Sequence, residues 1–411
     1  MESMMSKIKL AGTGCVVGDY LYANVDFNSD AFRKYLSLKP GDGGLVPGHL
    51  VFLEDLCRFA NADYKTISSD LTCGKSPDKF NIGGPAIVAM IHAAQLLAHK
   101  GISVDFKGAA GKDDTAFRIF KILEKTPLSS KNFKISDGMT PFTEVLSDPN
   151  YNEGKGERTF INNIGAAWDL KPEDIDNSFF SSDVLLFGAT ALVPNLHDNL
   201  TDLLRKGRDA GKFNIVITVF DFRNEMKAPD KKWPLGQSDE SYTLLDLLIV
   251  DHVEALRLSG ESNIDKALAF FIKKGVKAFL VTNGAKDISI YSDGTAFKKV
   301  GLTTLPISSY VSRELTEHPE RKGDTTGCGD NFAGGVISSV SSQLQDCGQR
   351  SSLDLVQAAA WGVASGGFAC FYIGGTYIEN NPGEKLERVS FYFKNYAEEI
   401  KDIYKIKSLD I

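Results

Sequence analysis

From residue 183 onward the chain alternates short, uninterrupted apolar runs with amphipathic stretches: VLLFG, NLHDNLTDLLRKGRDAG, FNIVITVFDF, a helix near 240, LLIV, VEALRLSG, DKALAFFIKKG and KAFLVTNG. A strand that is apolar at every position is buried on both faces, and a helix between consecutive strands is the usual crossover for parallel pairing. This predicts an α/β fold, a mostly parallel central sheet flanked by helices. Ligands of such sheets bind beyond the carboxyl ends of the strands. Polar residues gather there: Asp221 and Arg223 after one strand, Asp251 and Glu254 after the next, Thr282, Asn283 and Gly284 after the third. Upstream, IKLAGTGCVVG reads as a buried strand and DYLYANVDF at 19–27 as a half-exposed one. Residues 141–163 read as a hairpin with a polar, glycine-containing turn, too polar for a core.

The 411 residues suffice for a sizeable core. A formal charge of −7 argues against a nucleic acid or an anionic membrane as the main partner, although 46 Lys and Arg leave room for local phosphate sites. The six cysteines include no C-x-x-C pair, so neither a zinc site nor a disulfide framework is signalled, and a reducing cytoplasm fits best. The start of the chain carries no secretory pattern, and no apolar run reaches transmembrane length.

Residues 321–340, RKGDTTGCGDNFAGGVISSV, read as a loop entering a helix. Glycines at 327 and 329 let a ligand approach the backbone, and the first helical turn offers unpaired N–H groups and the positive end of the dipole. An acid at such an anion site needs a task. For Asp330 that task is inferred to be accepting the proton of a hydroxyl that attacks a phosphoryl group held by the backbone of Gly327, Cys328 and Gly329. The plain alternative is a helix capped by Asp330 after a tight turn.

The string DTTGCGD closely resembles the D-T-x-G-A-G-D signature of the ribokinase-like (PfkB) family of carbohydrate and nucleoside kinases. The resemblance extends in order along the chain. Gly14 to Asp19 is similar to the family's G-x-x-x-x-D, whose acid binds substrate hydroxyls. NIGGPAIVAM resembles its glycine pair, here Gly83 and Gly84, whose backbone meets the sugar. Ile87 and Val88 stand near where the family usually carries an Asn, a departure that removes one expected substrate contact. Gly108, Gly111 and Asp113 match the following G-x-x-G-x-D loop, Asp113 serving equally well as an N-cap. DHVE at 251–254 resembles N-x-x-E, associated with magnesium and phosphate, with Asp251 in place of Asn; Glu254 reads either as that residue, acting through water, or as a first-turn acid.

The resemblance implies one ribokinase-like domain over 1–411 with a small β-sheet lid, its hairpin at 138–166 and a second portion near 19–30. It implies ATP and Mg²⁺ as cofactors and a sugar or sugar-like alcohol as acceptor. A nucleoside kinase, or a non-catalytic member that binds sugar or nucleotide, is the alternative. Acceptor ligands would be Asp19, Gly43, Gly44, Gly83, Gly84 and Arg158. Gly43 and Gly44 also suit a surface turn, and Arg158 a solvated strand face. Nucleotide ligands would be Thr282, Asn283, Gly284, Asp324 and Thr325, beside a helix over 358–370. A homodimer through the lid is a further implication. Two decoys fail: Gly12, Gly14 and Gly18 miss G-x-G-x-x-G by one residue, and GKS at 74–76 has Ser69 where a P-loop needs glycine. Cys328 replaces the signature's usual alanine; beside phosphate-binding amides its thiolate is expected to be favoured, with Asp330 opposing.

Overall fold

The computed structural model describes residues 7–404 apart from 40, 349 and 403. The two ends of the domain expected over 1–411, and Pro40 of the PGDGG turn, therefore lie outside the described residues. Eight strands form the main sheet in the spatial order Val300–Leu305, Lys286–Ser292, Ala278–Asn283, Leu247–Asp251, Phe213–Ile217, Val184–Gly188, Lys9–Gly14, Ser103–Lys107. The last six run parallel, and the first two close one edge antiparallel. Val184–Gly188 and Phe213–Ile217 are buried at every residue, as their unbroken apolar runs require. Helices Pro85–Leu97, Cys328–Cys347, Leu355–Ala369 and Glu384–Ile400 pack side by side, the first of them against the strands Lys9–Gly14 and Ser103–Lys107. The helix expected near 240 is a single turn, Ser241–Leu244. Among the described residues no helix is long and apolar enough to cross a membrane.

A separate five-stranded sheet stands over the carboxyl ends, in the order Leu50–Phe52, Glu157–Asn163, Phe142–Asp148, Val17–Tyr22, Lys79–Gly83. The 141–163 hairpin is present, paired from Phe142↔Asn163 to Asp148↔Glu157. The lid is larger than its two expected pieces, because the 45–80 stretch contributes both edge strands.

The expectation that this hairpin is too polar for a core is corrected by the structure. Phe142, Leu146 and Ile161 join Tyr22, Phe27, Phe32, Tyr35, Leu53, Leu56, Ile67 and Leu71 in a second hydrophobic core. Helices Leu53–Ala60 and Tyr64–Thr72 supply the cover. Alternation along a strand shows that one face is apolar but not what covers it. Even the inward acid is provided for, since Ser68 Oγ donates to Glu144 Oε1 at 2.7 Å. One face of the lid is thus sealed by the chain itself, and a lid-mediated homodimer would have to use its edges or its helices.

Candidate functional site

The site is assembled between the second face of the lid and the start of the helix Cys328–Cys347. Gly327 is the N-cap of that helix with φ +77°, and a Cβ there would lie 2.5 Å from Gly375 Cα. Glycine is needed for both reasons. Nothing lies within 4 Å of where a Gly329 Cβ would be, so the amides of the first turn face open space.

Asn331 ties this loop down from behind. Its Nδ2 donates to Gly327 O at 2.8 Å and Gly375 O at 2.9 Å. Its Oδ1 lies 2.7 Å from His92 Nδ1 and accepts from Lys385 Nζ at 3.1 Å. The side chains of Asn331, His92 and Lys385 are all buried. Neither Asn331 nor Lys385 was singled out by the sequence, because their role depends on a contact 54 residues apart.

Asp330 follows the open turn, and Asp19 comes from the lid strand Val17–Tyr22. The strand register puts Gly83 beside Val17 and Asn81 opposite Asp19, so the Asp19 carboxylate lies over Gly83; a Cβ on Gly83 would sit 2.0 Å from Asp19 Oδ2. Gly84 has φ +96° and caps the helix Pro85–Leu97. Burial pushes Asp330 up to about 7. Burial, then the like charges of Asp330 and Asp324, push Asp19 up to about 8.

Because these carboxyls hold protons more tightly folded than unfolded, the folded state binds extra protons between pH about 4 and 8, and their contribution to stability falls as pH rises through that window. In the ligand-free protein Asp330→Asn is therefore expected to raise Tm relative to wild type at pH 8 and to raise it by a clearly smaller amount at pH 5. Scanning calorimetry at the two pH values checks this; an equal shift at both would contradict it.

The register also reveals a row of residues that the sequence did not suggest. Asp19 pairs with Asn81 and Thr143, Thr143 with Asn162, and Asn162 with Phe52. Cross-strand partners share a face, so Asn81, Asp19, Thr143, Asn162 and Phe52 cross the lid on the side opposite its core. Asn162 is buried, donates to Thr143 Oγ1 at 3.0 Å, and leaves its Oδ1 without a partner. Phe52 meets Phe222 of the main body edge-on at 6.2 Å.

Arg158 reaches the signature loop: Nη1 donates to Thr326 Oγ1 at 2.9 Å and lies 3.9 Å from Asp324 Oδ2. At the other edge of the lid, Lys79 Nζ donates to Ile373 O at 2.6 Å. Gly43 and Gly44 follow the turn at Gly41. Their would-be Cβ atoms meet Asp55 O at 2.7 Å and Ser37 Cα at 2.6 Å, so the turn's own packing accounts for both. Asp113 is the N-cap of the helix Asp114–Leu123 and also accepts from Thr140.

A cleft of about 540 Å³ continues from the loop along the strand ends. Thr282, Gly284, Thr325, Cys328 and Gly329 line its polar side, and Val311, Phe332 and Val363 belong to its apolar side. Asn283 ends the strand beside it. The helix expected over 358–370 runs Leu355–Ala369 and supplies Gly366 and Gly367. Asp251 lines the cleft and forms a capping box with Glu254, whose Oε2 accepts from Thr218 Oγ1. Burial, then Asp251, raises its carboxyl to about 8. The capping role of Glu254 is accordingly present in the fold.

At Cys328 the thiolate is opposed by more than Asp330. A hydrogen-bonded neighbouring thiol, Cys370 at 3.5 Å, together with burial, pushes Cys328 well above the usual thiol range, while Cys370 is lowered, first by that same bond. The pair was invisible in the sequence because its members lie 42 residues apart.

Residues 55–381 match the pfkB family carbohydrate kinase pattern. The chain belongs to the PfkB family. The PfkB match begins after Asp19, yet the fold extends back through Lys9–Gly14 in the middle of the same sheet. Solved structures share this architecture. Adenosine kinase from Schistosoma mansoni in complex with 2-fluoroadenosine superposes with a TM-score of 0.66 at 15% identity, covering 91% of this chain and 98% of that one. Ribokinase from Thermotoga maritima gives 0.60 at 18% identity, covering 94% and 99%. A probable sugar kinase from Rhizobium etli gives 0.64 at 16%, covering 94% and 99%. The solved structures that share this fold thus include proteins named as sugar kinases and as nucleoside kinases.

Proposed function

We propose that this PfkB-family protein is an ATP-dependent kinase that phosphorylates a hydroxyl of a sugar or of a sugar-bearing substrate. The observation that carries the reading is that Asp330, in the first turn of its helix, lies near enough to Asp19, held over Gly83, for its charge to raise the Asp19 carboxyl. Asp19 accepts hydrogen bonds from acceptor hydroxyls. Asp330 takes the proton of the attacking hydroxyl, and its carboxyl, raised to about 7, is a stronger base than an ordinary aspartate while still about half ionised near neutrality. The amides from Gly327 to Gly329 hold phosphoryl oxygens.

The cleft suits a nucleotide by size and by its division into polar and apolar sides. Thr282, Asn283, Gly284, Asp324 and Thr325 would hold it. ATP, when bound, supplies the γ-phosphoryl group, with Mg²⁺ spreading its charge. Among the described residues no three His, Cys, Asp or Glu side chains gather as a metal cage, which suits an ion held by phosphate oxygens and water, Glu254 orienting the water. Arg158 would bring the lid edge down on the signature loop and shield the reaction from solvent.

An ADP-release panel of hexoses, pentoses, keto-sugar acids and nucleosides tests the reading. Release with one class and not the others is expected. Tight binding of a sugar or nucleoside with no ADP release in any arm would make the protein a binding member of the family instead.

A nucleoside is the second reading, and one observation favours it over a free monosaccharide. From Asp19 to Asn162 the polar row spans two strand spacings, roughly 10 Å, and it ends at the Phe52–Phe222 pair. That length suits a sugar carrying a second ring, with Asn162 Oδ1 accepting from it. The fold is also that of adenosine kinases solved with 2-fluoroadenosine and tubercidin. Asn162→Ala is expected to raise KM for such an acceptor about 2–10-fold, the worth of a neutral hydrogen bond, with KM for ATP unchanged. Unchanged acceptor KM in steady-state kinetics would remove Asn162 from the site.

A further inference from the structure

Among the described residues no cysteine pair is joined in a disulfide, and two of the six cysteines meet. Cys328 is the first residue of the signature helix, between two glycines of the phosphate-binding loop. Cys370 is the C-cap of Leu355–Ala369. Their sulfurs lie 3.5 Å apart, and both side chains line the 540 Å³ cleft, so a small reagent can reach them from it. The backbone around Cys370 is laced to the same loop: Gly323 N–H donates to Cys370 O at 2.8 Å and Asp324 N–H to Tyr372 O at 3.2 Å. A disulfide needs sulfurs about 2.05 Å apart, so the two must close by roughly 1.5 Å, a movement within reach of one loop residue and one helix cap.

We propose that Cys328 and Cys370 form a dithiol modification site that small-molecule disulfides of the glutathione class oxidise to an intramolecular disulfide. Cys370 is the attacking sulfur. Its thiol is lowered by the hydrogen bond from Cys328 and by the charge of Lys322, against burial, whereas Cys328 is raised. The Cys370 thiolate attacks one sulfur of the reagent, the reagent's S–S bond breaks, and one thiolate leaves. Cys328 then gives up its proton, which the departed thiolate takes, and its sulfur attacks Cys370 Sγ, displacing the second reagent thiol. Two protein thiols are oxidised, one disulfide is reduced to two thiols, and the protein loses two hydrogens. The chemistry of the pair stands independently of the kinase reading; only its consequence, a phosphate loop pulled toward the helix cap and a cleft less able to take nucleotide, rests on that reading.

The test incubates the reduced full-length protein with oxidised glutathione, alkylates the remaining thiols and maps the peptides by mass spectrometry. The expected product is a protein two hydrogens lighter across a Cys328–Cys370 crosslink, formed faster than any link to Cys15, Cys57, Cys73 or Cys347 and reversed by dithiothreitol. Cys328→Ser should stall at a glutathione adduct on Cys370, and Cys370→Ser should give neither crosslink nor adduct at this place. A crosslink between other cysteines, or a wild-type protein that retains glutathione on Cys370 without closing the bond, would overturn the proposal. Because the mass readout ignores activity, a protein that crosslinks as expected but releases no ADP with any acceptor when reduced would sink the kinase reading alone.

Discussion

Asp330→Asn is expected to fold, to bind ATP with near wild-type affinity, and to lose about 10²–10⁴-fold in kcat, the range for removing a positioned general base. That corresponds to roughly 3–5 kcal/mol of barrier. The substitution keeps the volume and two polar atoms at the start of the helix, so packing of Cys328–Cys347 against Leu355–Ala369 is untouched. What it removes is a basic oxygen in a setting that makes it unusually basic, the buried carboxyl held at about 7. Removing that charge should also raise the stability of the ligand-free protein near pH 8. Loss of rate accompanied by gain of stability separates a catalytic carboxylate from a structural cap, because loss of a cap costs about 1 kcal/mol of stability and has no reason to alter kcat. Isothermal calorimetry for ATP, steady-state kinetics and a melting curve on one preparation decide it. Near wild-type turnover would remove Asp330 from the role of base.

Much of the architecture was legible because its determinants are local. Unbroken apolar runs such as Val184–Gly188 can only be strands buried on both faces, and the order of glycines and acids from Gly14 to Asp330 carried the family. What escaped was whatever depends on which residues meet across the fold. The lid's second core was hidden because Phe142, Leu146 and Ile161 alternate with Thr143 and Asn162, and only the helices of residues 53–72 show that the apolar side is covered. Asn331 looked like an ordinary helix residue until His92, Lys385 and Gly375 closed around it. Cys370 looked like the end of an alanine-rich helix until Cys328 came within 3.5 Å. At Gly43 and Gly44 the sequence left two readings, since a glycine pair signals close approach without saying what approaches, and the atoms that approach within the chain are those of Ser37 and Asp55.

The seating of the Asp19 carboxylate over Gly83 yields the second large effect. Asp19→Ala should weaken acceptor binding by about 1.5–3 kcal/mol, the worth of a charge-assisted hydrogen bond, or roughly 10–150-fold in KM, with little change for ATP. Gly83→Ala should do nearly the same without touching the carboxylate chemically. Its new methyl would lie 2.0 Å from Asp19 Oδ2 and 2.5 Å from Cγ. The strands Val17–Tyr22 and Lys79–Gly83 are locked in antiparallel register, so the backbone yields less readily than the carboxylate, which must rotate away from the acceptor. If both substitutions act through that one displaced group, their effects cannot add. The double variant Asp19→Ala/Gly83→Ala should be no worse than Asp19→Ala alone, a coupling as large as the Gly83 effect itself. Acceptor KM across the four proteins of this cycle reads the coupling directly. Additive losses would mean that Gly83 meets the acceptor through its own backbone, and the carboxylate-seating role of this glycine would fall while Asp19 kept its place.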